Sequence, residues 1–171
     1  MAISVFIVKV PGAEALVGQL RQRFDASARL GVPAHITVLV PFMDPKAIDA
    51  AVLEQARRAL APFSAFSFAL RAVGRFPATA YLVPEPSAPF VQLTRAVVQA
   101  FPAFPPYAGE HDGMIPHLTV AHGSPADADE AEAALRVALE KTGGVRARCE
   151  AVTLIENSSG VWQTLAEFQL G

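Results

Sequence analysis

Residues 35–38 read His-Ile-Thr-Val and residues 117–120 read His-Leu-Thr-Val, close to half a chain apart. A repeat on that scale constrains the fold more than any single segment, because each unit must bury its apolar faces against its own copy. The flanks repeat as well. In the first half, a strand over about 2–10 and the breaker Pro11-Gly12 precede a helical pattern over 13–25, with Leu16, Leu20 and Phe24 at spacing four. The motif strand follows at 32–40. Asp44-Pro45 then reads as a helix cap with proline in the first turn, opening a helix faced by Ile48, Val52, Leu53, Ala56 and Leu60. A strand in which Phe66, Phe68 and Leu70 alternate with polar or small residues closes the half.

The second half runs in the same order: a strand at 80–83, a helix over 89–101, the motif strand at 114–121, and a helix opened by Ser124-Pro125. That helix carries Ala131, Leu135, Val137 and Leu139 and ends at Gly143-Gly144. Strands at 145–155 and 161–170 flank the turn residues Asn157-Ser158-Ser159-Gly160. Each half therefore reads β-α-β-α-β. The pattern predicts one α+β domain of two lobes, about 1–77 and 78–171, related by an approximate two-fold axis. Antiparallel or mixed sheets would meet at a central cleft, with terminal strands crossing between lobes.

Composition narrows the partners. The chain has 171 residues, 52% of them apolar and 18% charged, which is the balance of an ordinary folded domain. A net charge of −2 gives no long-range pull toward a polyanion, so long duplex nucleic acid is a poor partner, whereas a nucleotide or a strand end needs only a few placed cations. No run has the length of a membrane span, and residues 3–8, though apolar, lack the basic flank of a leader. A cytoplasmic monomer is the expectation. The single cysteine, Cys149, lies in a strand pattern, where a small buried thiol is expected.

In a strand, residues i and i+2 share a face, so His35 lies beside Thr37 and His117 beside Thr119, while Ile36 and Leu118 face the core. Polar pairs set in apolar strands are costly unless satisfied, and two of them at equivalent repeat positions mark a face that lines a wet cleft. With an unperturbed pKa of about 6.5, one imidazole accepts a proton while the other donates one near neutrality. Threonine hydroxyls donate to the oxygens of a phosphate. These are the requirements of phosphodiester hydrolysis without a metal or other cofactor.

The segments Pro33-Ala34-His35-Ile36-Thr37-Val38-Leu39-Val40-Pro41-Phe42 and Ile115-Pro116-His117-Leu118-Thr119-Val120-Ala121, with the order of elements along the whole chain, resemble the 2H phosphoesterase superfamily. That group includes bacterial 2′-5′ RNA ligase and RNA 2′,3′-cyclic phosphodiesterase enzymes. The resemblance implies a bilobal fold, catalytic His35 and His117, and phosphate-binding Thr37 and Thr119. It also implies a nucleotide or RNA terminus bearing a 2′,3′-cyclic phosphate, or a 2′-5′ linkage, as substrate. Alternatives are a small-molecule phosphodiesterase for a cyclic nucleotide or an ADP-ribose cyclic phosphate, and a non-catalytic nucleotide-binding domain. RNA-processing members often carry an arginine after the second motif; here His122 and Gly123 follow Ala121, and Arg75 and Arg29 are the nearest substitutes in sequence.

Further substrate contacts are expected from His122 and from aromatic residues able to stack a base, Phe42, Phe76, Tyr81 and Trp162. The proline-rich stretch 101–107 is placed to cover the cleft. His111, His117 and His122 cluster in sequence, but their spacing fits no zinc pattern, and no metal is expected.

Overall fold

The alternating segments pair, antiparallel throughout, into one curled sheet of eight strands. The strands are β1 (Ser4–Lys9), β2 (His35–Leu39), β3 (Phe66–Phe76), β4 (Thr79–Glu85), β5 (Leu118–His122), β6 (Val145–Cys149), β7 (Ala151–Glu156) and β8 (Gln163–Gln169). The helices are α1 (Glu14–Phe24), α2 (Ala26–Arg29), α3 (Ala50–Leu60), α4 (Ala88–Ala100) and α5 (Pro125–Thr142). The computed structural model describes residues 1–110 and 114–171. Among them no helix is long and apolar enough to cross a membrane.

Local chemistry sets the helix ends. The Ser124 hydroxyl accepts from the Asp127 N–H at 3.1 Å to start α5, and Gly143, at φ 75°, stops it in a conformation that suits glycine. Asp44-Pro45 does not open α3. The Asp44 carboxylate caps a single 3-10 turn, Pro45–Ala47, and Asp49 caps α3 itself by accepting from the Val52 N–H. Two caps in succession break the expected helix, and Ile48 falls in the extended backbone between them.

Strand order is β6-β3-β4-β5-β2-β1-β7-β8. The halves of the chain therefore exchange elements: β3, from the first half, pairs with β4 and β6, while β7 pairs with β1. The helices exchange too, α1 packing on β5 and α5, and α4 on β2 and α3. The expected strand over 145–155 is two strands, because at Glu150 the chain changes partner from β3 to β1 and β8. Cys149 is buried there, and burial pushes its thiol up to about 12, so it packs as a small apolar group.

The main apolar cluster runs under both motif strands, from Phe6, Val8, Ile36 and Val38 to Leu82, Leu118 and Leu135, with smaller clusters around Phe24 and around Val5 and Ile7. β3 and β4 share seven paired positions. β2 and β5 share one among the described residues, Ile36 opposite Leu118. The middle of the sheet is thus its thinnest seam, and both motifs sit on it. Because α1, α4, β3 and β7 each complete the other half's core, fragments 1–77 and 78–171 expressed separately are expected to show no cooperative thermal transition. Circular dichroism of each fragment and of their mixture checks this.

Candidate active site

Ile36 and Leu118 are fully buried, which turns the alternate residues His35, Thr37, His117 and Thr119, all half-buried, onto the opposite face. With Ile36 opposite Leu118 in an antiparallel pair, Thr37 falls beside His117, and His35 beside Thr119. The four polar side chains form one patch, each histidine flanked by the other motif's threonine.

Both imidazoles are held by the same local device. The His35 Nδ1 lies 2.8 Å from the Pro33 carbonyl oxygen and the His117 Nδ1 lies 2.7 Å from that of Ile115, in each case two residues back. A carbonyl only accepts, so Nδ1 carries the proton and donates, and Nε2 is the basic nitrogen of each neutral ring.

Their surroundings differ. Burial pushes the His35 imidazole down to about 4, with the Arg21 charge acting in the same direction and the Pro33 hydrogen bond opposing it. Arg21 is itself buried. It is ion-paired with Asp25 at 3.1 Å, and its Nη1 donates to the Val32 carbonyl at 3.0 Å, which ties the segment before the motif to α1. His117 is also lowered by burial, with the His122 charge adding to the effect and the Ile115 bond opposing it. Its ring meets Phe76 edge-on at 5.3 Å and Tyr81 at 5.2 Å.

Tyr81 lies opposite Thr119 on one side and Gly74 on the other. Its ring covers Gly74, where a Cβ would collide with it. A glycine inside the β3 pattern was the sequence signal for this close approach. Beside Thr37 a cavity of about 30 Å³, lined in part by Thr94, Tyr107 and Pro116, has room for one water.

The other residues singled out in the sequence divide between the core, the helix side and the rim of the cleft face. Phe42 is 4% exposed and packs in the core against Phe6, Phe101 and Phe104, so it is not available to stack a base. Arg75 is one residue out of phase with Gly74. Its guanidinium lies on the helix side, 2.7 Å from both Asp129 and Glu132 of α5, and so does not replace the missing arginine. Arg29 donates to backbone carbonyls at the end of α1.

Trp162 packs over Val5, Ile7 and Ile155, one strand from Thr37, and its backbone N–H donates to the Leu30 carbonyl. His122 is exposed at the end of β5, its Nδ1 2.9 Å from the Thr79 hydroxyl. The 101–107 stretch is fastened to the end of β2 by the Tyr107 N–H, which donates to the Val40 carbonyl at 2.6 Å. His111 lies outside the described residues. Among the described residues no three His, Cys, Asp or Glu side chains come together as metal ligands. Composition gave no signal for Lys9, which lies opposite His35 on β1 and is paired with Glu167 at 3.1 Å.

The sequence profile of the 2′-5′ RNA ligase superfamily matches residues 9–160, and the chain belongs to that superfamily, which supports phosphoesterase chemistry in general. A search of curated proteins gives no match. Among solved structures, TT0787 of Thermus thermophilus is 17% identical with a TM-score of 0.62, covering 98% of this chain and 97% of that one. LigT of E. coli, complexed with 3′-AMP, is 14% identical with a TM-score of 0.61, covering 99% and 98%. A protein described as a phosphoesterase is 16% identical with a TM-score of 0.59, covering 99% of each chain. At these identities the likeness establishes the fold.

Nitrogen-detected NMR of the imidazoles is expected to find both histidines as Nδ1–H tautomers, His35 titrating near 4 and His117 below 6.5. A His35 midpoint at or above 6.5 contradicts the buried geometry. Gly74→Ala should displace the Tyr81 ring and shift the His117 resonances while leaving those of His35 in place.

Proposed function

We propose that the protein is a metal-independent phosphodiesterase that opens 2′,3′-cyclic phosphates at the ends of RNA or on nucleotides, with His35 and His117 as its acid–base pair. The observation that carries this reading is the pairing of the two motifs across the β2–β5 seam, with each Nδ1 held by a carbonyl two residues back. Two Nε2 atoms beside two hydroxyls match the needs of an in-line displacement at phosphorus.

One neutral histidine takes a proton from water as the water oxygen attacks phosphorus. The bond from phosphorus to one ribose oxygen breaks, and the other histidine, protonated, gives its Nε2 proton to that oxygen. The product is a phosphomonoester, and the two histidines have exchanged protonation states. Thr37 and Thr119 donate to the non-bridging oxygens, where negative charge gathers in the transition state. With a ribose 5′-hydroxyl in place of water, the same attack on the cyclic phosphate breaks the bond to the 3′ oxygen and leaves a 2′-5′ linkage, and the reverse of that step cleaves such a linkage to regenerate the cyclic phosphate. That solved structures of E. coli LigT are complexes with 3′-AMP and with phosphate supports a site for such groups on this fold.

His35→Ala or His117→Ala is expected to lower hydrolysis of a 2′,3′-cyclic nucleotide by at least about 10²-fold, since general acid–base catalysis is worth roughly 10²–10⁴-fold. Unchanged thermal melting would show that the fold is retained. Thr37→Ala and Thr119→Ala should cost less, since each removes one hydrogen bond to a charged phosphate oxygen, worth about 1.5–3 kcal/mol, and leaves the proton transfers in place. A single histidine variant with full activity would sink the mechanism.

The reaction needs one ring neutral and one charged, and both pKa values are depressed in the free protein. The bell of kcat/KM against pH is therefore expected to peak between about 4 and 6.5. Chelator should leave the rate unchanged.

A further inference from the structure

The cleft face does not stop at His117. Across β4 and β3 the residues on that face after Tyr81 and Gly74 are Val83 and Ala72, then Glu85 and Ala69, which are themselves paired. The face continues onto the edge strand β6, where Arg146 lies opposite Ala69 and Arg148 opposite Ser67. Phase fixes this assignment: Phe68, Leu70, Leu82 and Cys149, the residues between, are all in the apolar core.

Along β3 the floor of this strip is made of small side chains. At its far end Ser67, Glu85, Arg146 and Arg148 surround an open hollow of about 520 Å³, within the range of ligand sites. Its cations are weakly committed. Both arginines are exposed; Arg146 has no ion pair among the described residues, and Arg148 reaches Glu150 only at 3.6 Å and the Ser67 hydroxyl at 3.4 Å. Arg21, Arg23, Arg57, Arg58, Arg75 and Arg136 are held by carboxylates at 3.1 Å or less, whereas Arg29, Arg71 and Arg95 share with Arg146 the lack of an ion pair among the described residues.

We propose that this strip seats the RNA strand leading up to the cyclic phosphate, Arg146 and Arg148 binding its upstream phosphates, so that the preferred substrate is an oligoribonucleotide end and not a mononucleotide. The proposal rests on the phosphodiesterase reading above. A guanidinium binds phosphate oxygens through its fork of N–H donors. The Glu85 carboxylate, between the arginines and the histidines, repels phosphate but accepts a hydrogen bond from a ribose 2′-hydroxyl, which favours RNA over DNA in the strip. With a net charge of −2 the protein exerts no long-range pull on a polyanion, and a local cationic edge of this kind suits a short strand.

The test compares the full chain with an Arg146→Gln/Arg148→Gln double variant on two substrates: uridine 2′,3′-cyclic phosphate and a tetraribonucleotide ending in the same group. The wild type is expected to favour the tetranucleotide in kcat/KM by at least about tenfold, since only the longer substrate carries upstream phosphates for the two arginines to hold. The double variant should lose most of that preference through KM and turn over the mononucleotide as the wild type does. The salt dependence of KM for the tetranucleotide should flatten by about 1.4 in log–log slope, roughly 0.7 for each phosphate contact.

No wild-type preference for the tetranucleotide, or a double variant that keeps it, overturns the strip. If the wild type hydrolyses neither substrate, the phosphodiesterase reading fails, and the strip is then judged by fluorescence anisotropy with a 3′-phosphorylated tetranucleotide. Weaker binding by the double variant supports it and equal binding overturns it.

Discussion

The pair Ile36–Leu118 is the joint on which the rest of the structure depends. Among the described residues it is the one cross-strand position that links β2 to β5, and both side chains are fully buried. Burying a side chain of that size stabilises by roughly 1.5–3 kcal/mol, so the two anchor a seam that has little other strand pairing. Their phase has a second effect. With the apolar residues committed to the core, the residues on either side must point the other way, and those are the two histidines and the two threonines. Core packing and site assembly are one constraint.

The same local construction occurs at both motifs. Each motif strand lies beside the other, and each imidazole is oriented by a carbonyl two residues earlier, Pro33 for His35 and Ile115 for His117. The surroundings of the two rings differ. His35 has a buried guanidinium nearby and lies opposite Lys9, whereas His117 is walled by Phe76 and Tyr81. A symmetric pair of rings in unequal environments is well placed to hold one proton between two sites.

Much of this was legible in the sequence, and the failures have physical reasons. The repeat, the α+β order of elements, the ends of α5 at Ser124 and Gly143, and the shared face of His35 with Thr37 all depend on local chemistry or on a period of two. Pairing partners are not local. The alternation over 145–155 continues smoothly while the chain moves from one half of the sheet to the other at Glu150. Arg75 looked available until its phase relative to Gly74 put it against the carboxylates of α5. Phe42 follows a motif strand closely enough to suggest the cleft, yet it turns into an aromatic cluster formed by Phe6 of β1 and by Phe101 and Phe104 in the segment after α4. Asp44-Pro45 carries a cap and a first-turn proline, yet it closes only a 3-10 turn, and the helix itself begins after Asp49.

The central claim is that the four motif side chains form one phosphate site. A crystal structure grown with inorganic phosphate tests it most directly. The account predicts an anion on the cleft face at the β2–β5 seam, within hydrogen-bond distance of Nε2 of His35 and His117 and of the hydroxyls of Thr37 and Thr119. Phosphate bound elsewhere, with the two Nε2 atoms too far apart to share one anion, would contradict it.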